Sequence, residues 1–263
     1  MLAGAAAATA KMAAAVPVAV AGSGLRVAFA SDGHYAEKGT DYQENYAKII
    51  RWLNQEHRVK PLDFVVFNGD IVHDQPDLLK TVRDDYFSRL KMPWYALPGN
   101  HDHATPSTWK EVFGYDVNYS IEKKNTAFIM ANTSNEKGDY VCPDIDFLRT
   151  SLDKYKEIPA VFVVMHIPPH QWLPEENYFT RCDDVLKLLE GYPNLKGLFH
   201  GHDHSLDVMR RTGNLRHFFD GHFGGSWGTA YHGFRLLEID ETGRIGSFQK
   251  NPGAAPVINR QQL

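Results

Sequence analysis

The chain has 263 residues, 43% hydrophobic and 23% charged, with a net charge of −4 and a pI near 6.3. That length and apolar content suit one sizeable buried core and exclude wholesale disorder. The mild acidity, without any run of Lys or Arg, excludes a basic surface that tracks long nucleic acids, so phosphate must be recognised locally.

Residues 1–24 are Ala-rich, with Lys11, an apolar stretch from Ala13 to Val20 and a small-residue site at Ala19-Val20-Ala21. Two readings stand side by side: an export signal, which predicts a periplasmic or secreted protein, or a flexible tail on a cytoplasmic one. No later apolar stretch approaches membrane-spanning length, so the mature chain is expected without a membrane segment. Cys142 and Cys182 form the only possible disulfide, which fits an exported protein; packing as free thiols is the alternative.

Leu25 to Ala30 is a short β-favouring run that stops at Ser31-Asp32-Gly33-His34, the pattern of a buried strand delivering polar residues at its tip. The same device recurs where Asp63 to Phe67 meets Asn68-Gly69-Asp70 and where Trp94 to Leu97 meets Pro98-Gly99-Asn100-His101-Asp102. It appears twice more, as Val161 to Met165 before His166 and Leu195 to Phe199 before His200-Gly201-His202-Asp203-His204. Between the first three runs, helical spacing covers Tyr42 to Glu56, with Tyr46, Ile49, Ile50 and Leu53 on one side, and Asp77 to Leu90, with Leu78, Val82 and Leu90. A hairpin is expected over Asn118 to Ile121 and Ala127 to Asn132. Helices opening on acidic residues are expected at Asp144 to Lys156 and Asp183 to Glu190, with further strands from His217 to Phe248. Alternating strands and helices predict an α/β domain over 25–250, with functional groups beyond the carboxyl ends of the strands and a C-terminal tail over 251–263.

The strand-end clusters carry metal chemistry. Asp32 and His34, two residues apart in a nearly extended turn, can offer an oxygen and a nitrogen to one ion, although a turn Asp beside an exposed His is the commoner use of that pair. Gly69 lets the backbone turn sharply so that the Asp70 carboxylate can approach two cations, although a strand-terminating turn is the usual job of Gly-Asp. Asn100 can give a carbonyl oxygen while His101 points toward a substrate and Asp102 fixes the imidazole tautomer. His202 and His204 suit two neighbouring ions, and His166, which alone would read as a core or turn histidine, adds a further nitrogen. His73 reads as a loop residue. His170, His200, His222 and Trp227 lie near the site with weaker claims, Trp227 either stacking on a substrate ring or anchoring its Gly-rich loop.

In order, Asp-x-His, Gly-Asp, Gly-Asn-His-Asp, His and Gly-His-x-His resemble the calcineurin-like metallophosphoesterase superfamily. The likeness runs from about Leu25 to Asp240 and is nearest in pattern to the small cyclic-nucleotide phosphodiesterase-like group. His73, where purple acid phosphatases would carry a tyrosine, argues against that branch. The resemblance implies two packed mixed β-sheets flanked by helices, a four-layer sandwich. It implies two metal ions (Mn, Fe or Zn), one held by Asp32, His34 and His204, the other by Asn100, His166 and His202, with Asp70 bridging. It further implies hydrolysis of a small phosphodiester or phosphomonoester by a metal-activated hydroxide, His101 assisting the leaving group and Asp102 orienting it. A non-catalytic protein-binding scaffold on the same fold is the alternative, opposed by the intact ligand set.

Overall fold

The computed structural model describes residues 24–253 and 258–262, so the proposed export signal lies outside the described residues but for Gly24. In chain order the elements are β1 (Leu25–Ala30), α1 (Tyr42–Val59), β2 (Phe64–Asn68), α2 (Leu79–Asp85), β3 (Trp94–Leu97), α3 (Pro106–Phe113), β4 (Tyr119–Lys123), β5 (Thr126–Met130) and α4 (Ile145–Lys154). There follow β6 (Ala160–Val164), α5 (Asp183–Glu190), β7 (Leu195–His200), β8 (Met209–Thr212), β9 (Leu215–Phe219), β10 (Phe234–Ile239), β11 (Ile245–Lys250) and β12 (Ile258–Gln262).

These strands make two mixed six-stranded sheets, ordered β12-β11-β10-β1-β2-β3 and β4-β5-β6-β7-β9-β8. In the first, β1, β2 and β3 are parallel and β10 to β12 antiparallel. In the second, β5, β6, β7 and β9 are parallel, with β4 and β8 as antiparallel edges. Strand alternation explains the layering. Leu25, Val27 and Phe29 of β1 face the core between the sheets, while Ala28 and Ala30 face the core beneath α1 to α3. On β6, Phe162 and Val164 enter the inter-sheet core and Val161 and Val163 meet α4 and α5. Both faces of each central strand are therefore apolar, which is why these runs read as continuous hydrophobic stretches. The sheets lock where the rings of Phe29 and Phe199 stack at 3.8 Å and 6°.

The order of layers, helices, sheet, sheet, helices, is the one expected, with local differences. The helix expected over Asp77 to Leu90 is broken. Pro76–Leu78 and Phe87–Arg89 are 3-10 turns around the short α2: Pro76 favours a first turn, and Leu79, Val82, Phe87 and Leu90 are the side chains that pin the segment to the core. The hairpin turns through Lys124 and Asn125, both at positive φ, as a two-residue turn matched to strand twist requires. Asp144 caps α4, accepting from the N–H groups of Asp146 and Phe147. Helix α3, not foreseen, starts on Thr105-Pro106, the Thr105 hydroxyl accepting from Thr108 N. The tail expected over 251–263 instead supplies edge strand β12, paired to β11. No helix among the described residues is long and apolar enough to cross a membrane.

Candidate metal centre and active site

Five strand tips meet on one rim. The turn after β1 is tied to the turn after β2 by Asp32 N to Gly69 O (3.1 Å), His34 N to Asp70 O (3.0 Å) and Tyr35 N to Ile71 O (3.0 Å). Gly201 N donates to His166 O (3.1 Å), and His202 N donates to Asp32 Oδ2 (3.0 Å). Four of the clustered residues, Asp32, His34, Asp70 and His202, hold positive φ. Such conformations cost about 1 kcal/mol each and persist only where the surroundings fix them. Gly69 and Gly99 let the turns close: a Cβ on Gly69 would lie 2.4 Å from His166 Nδ1, and one on Gly99 2.2 Å from Asp70 Oδ1.

All seven expected ligands are buried, and six of them fall into two groups of three. Asp32, His34 and His204 bring one ligand atom each within 4.8 Å of one another, and so do Asp70, His166 and His202. Asp70 Oδ2 lies between the two, 3.6 Å from His34 Nε2 and 3.2 Å from His166 Nε2. In the first group, His204 Nε2 is 3.1 Å from both Asp32 Oδ1 and His34 Nε2.

The imidazoles are oriented from behind. A carbonyl oxygen only accepts, so His166 Nδ1 donates to Asn68 O (2.6 Å) and His204 Nδ1 to Trp227 O (3.2 Å), leaving each Nε2 for the cluster. His34 Nδ1 meets His73 Nδ1 at 3.0 Å. His204 is clasped between the rings of Trp227 (4.0 Å, 5°) and His222 (4.7 Å, 15°).

Electrostatics fit a cation site. Burial pushes His34 and His202 down to about 3, keeping both imidazoles neutral as metal ligands must be. Burial alone would raise Asp32 and lower His166, but the imidazoles of His204 and His166 hold Asp32 at about 2, and Asp70 with Asp32 lifts His166 to about 10. Two buried carboxylates thus draw positive charge into the cluster. The atoms without a hydrogen-bond partner include Asn100 Oδ1, His166 Nε2 and His202 Nε2, the three donors expected to serve the second ion. Buried polar atoms are normally satisfied, so the unpartnered nitrogens of His166 and His202, which gather with Asp70, fit a metal. Nitrogen and oxygen donors without thiolate suit Mn, Fe or Zn.

His101, partly exposed, stays outside these two groups and gathers instead with His34 and His73 in a third set that has no carboxylate. Its N–H donates to Asp70 Oδ1 (2.8 Å), and its ring packs on His73 (4.7 Å, 11°). Its Nδ1 lies 2.7 Å from Asp74 Oδ1. The expectation that Asp102 orients His101 is therefore corrected. Asp102 is buried and turns inward, accepting from Val72 N (2.9 Å) and Gly99 N (2.8 Å), so it shapes the loop that presents His101. Burial and the Asp70 charge push Asp102 up to about 7. Asp74 went unnoticed because a carboxylate four residues after a metal-site Asp carries no motif of its own; its positive φ, visible only in the fold, aims it back. His73, read as a loop residue, backs His34, and Trp227 anchors its loop by stacking on His204. His200 lies away from the cluster, bonded to His217 Nδ1 (2.9 Å).

Comparison with known proteins agrees with this geometry. The calcineurin-like phosphoesterase family matches residues 25–206, and the chain belongs to that family. Among its relatives, a 3′,5′-cyclic-nucleotide phosphodiesterase of Nostoc sp. is 24% identical over 77% of this chain and 80% of its own length. The glycerophosphodiester phosphodiesterase GpdQ of Enterobacter lignolyticus is 26% identical over 69% of each. A dimetal phosphatase from Danio rerio shares the fold, with a TM-score of 0.72 at 14% identity over 90% of this chain and 98% of that one. The protein is a metallophosphoesterase, a phosphoric ester hydrolase acting on small phosphorylated substrates.

Proposed function

We propose that the chain is a dinuclear phosphodiesterase in which Asp32, His34 and His204 hold one cation, Asn100, His166 and His202 the other, and Asp70 both. The observation that carries this reading is Asp70 Oδ2, one carboxylate oxygen facing an imidazole of each group at 3.6 and 3.2 Å. When bound, the cations activate water and offset the negative charge that spreads over phosphorus in the transition state.

The chain's own residues do the rest. His166 and His204, their Nδ1 protons fixed on backbone carbonyls, present Nε2 without reorganising. His101 gives a proton from Nε2 to the departing ester oxygen, and Asp74, at Nδ1, holds the ring in that orientation. The diester preference rests on the two relatives, both phosphodiesterases by name. The Cys142–Cys182 disulfide supports residence in an oxidising compartment, periplasmic or secreted.

The test is to load the purified chain with manganese, iron or zinc and offer cyclic nucleotides, glycerophosphodiesters, bis(4-nitrophenyl) phosphate and monoesters. Diester hydrolysis that tracks two bound ions per chain is expected; metal-replete protein inert on every ester would overturn the reading. Intact-mass measurement of protein from its native source tests export, since an unprocessed cytosolic product contradicts it.

A further inference from the structure

Three large apolar or aromatic side chains stand exposed among the described residues: Val59, at the end of α1, Tyr140 and Tyr178. The two tyrosines share one place. Tyr140 lies 4.7 Å from His202 at 87° and Tyr178 lies 5.7 Å from it at 81°, each ring nearly perpendicular to that imidazole. They come from different loops, Tyr140 from the one between β5 and α4 and Tyr178 from the one between β6 and α5. The loops are fastened to each other. Cys142, two residues after Tyr140, is bonded to Cys182, four residues after Tyr178.

Each loop is also held at its base. Val141 N donates to Thr133 O (2.9 Å), Tyr140 bridges to Ser134, and Thr180 N donates to Pro168 O (3.0 Å). Aromatic rings exposed to water beside a polar site serve neither the core nor solubility, and a cross-link between the loops that bear them limits the freedom lost when a partner packs there. At the other end of the site Trp227 stacks on His204, whereas the exposed rings of Tyr140 and Tyr178 flank His202.

We propose that Tyr140 and Tyr178, cross-linked through the Cys142–Cys182 disulfide, form the subsite that grips a planar aromatic group of the phosphoester, a nucleobase or an aryl ring, beside His202. This rests on the hydrolase reading above. The phosphate sits at the metal cluster, and the ring it carries packs against the two phenols.

Equilibrium binding, which needs no turnover, tests it. Titration calorimetry on the manganese-loaded chain compares AMP, phenyl phosphate and methyl phosphate. Stacking on an aromatic side chain predicts that AMP, phenyl phosphate or both bind about tenfold or more tightly than methyl phosphate. Which of the two is favoured says whether a nucleobase or any aryl ring is held. Tyr140→Ala and Tyr178→Ala should each shrink that preference several-fold, the Phe variants should keep it, and Cys142→Ser/Cys182→Ser should weaken it. Equal binding of all three phosphates by the native chain, or an undiminished preference in both Ala variants, overturns the subsite; an undiminished preference in the Ser variant removes the disulfide from it. Hydrolysis without preference sinks the subsite alone, whereas preference without hydrolysis of any ester sinks the hydrolytic reading alone.

Discussion

His101 Nδ1 sits 2.7 Å from Asp74 Oδ1, and Asp74 Oδ1 is also 3.1 Å from His103 Nε2, so one half-exposed carboxylate serves two imidazoles at the mouth of the site. Burial disfavours charge on His101, but Asp70 and Asp74 outweigh it and raise its pKa above the ordinary histidine value. As an acid His101 must be protonated, so the rate falls as pH rises through that pKa. Asp74→Asn removes one of the charges that raise it. The alkaline limb of the kcat/KM profile should therefore move to lower pH, while metal content holds. A limb that does not move would separate Asp74 from the chemistry.

His101→Ala should keep the metals, since the residue lies outside the two groups that contain a carboxylate, and lower kcat by on the order of a hundredfold or more. Elemental analysis beside steady-state kinetics reads both. An intact rate would remove His101 from the mechanism.

Asp102→Ala should act on stability first. It leaves the Val72 and Gly99 N–H groups without an acceptor in the interior, a cost of about 1 to 3 kcal/mol for each orphaned group. Thermal unfolding should show the loss, and the alkaline limb should hold where it is for any protein that folds. A shifted limb with unchanged melting would restore Asp102 as the partner of His101.

Metal removal should destabilise the chain. A cation present at a hundred times its Kd contributes about 2.7 kcal/mol, so chelation should lower Tm by several degrees. Asn100→Ala should reduce the stoichiometry from two ions toward one, whereas Asp70→Asn, altering the group between both clusters, should impair both. Two tightly held ions in Asp70→Asn would show that the carboxylate does not bridge.

Phe199→Ala removes the ring stacked on Phe29 at the seam between the sheets. Truncating a buried phenylalanine costs about 3 to 5 kcal/mol, and denaturant unfolding should register it. A change under 1 kcal/mol would mean that the seam closes around the gap.

Much of the site was legible in the chain because its ligands come as short clusters directly after buried strands. Val27 to Ala30 before Asp32, and Val163 and Val164 before His166, are apolar on both faces, and such strands carry whatever follows them to one rim of a sheet. The partners of those ligands were not legible. Asp74 reaches His101 by a backbone reversal at positive φ, His73 backs His34 across two turns, and Tyr140 and Tyr178 meet His202 from segments 62 and 24 residues away in the sequence. Helix α3 escaped notice because its signal, Thr105-Pro106 with Trp109 and Phe113, spans only two turns.

The sequence by itself determined the donor types, their order and the chemistry they suit, because side-chain identity sets what can bind a cation and strand patterning sets where each donor is delivered. Tertiary structure decided how those donors pair: which oxygen of Asp70 faces both groups, that Asp74 and not Asp102 steadies His101, and which aromatic rings flank the site. Those are relations between turns that are distant in the chain. They depend on loop backbone conformation and on the stacking of two sheets, neither of which has a periodic signature along the chain.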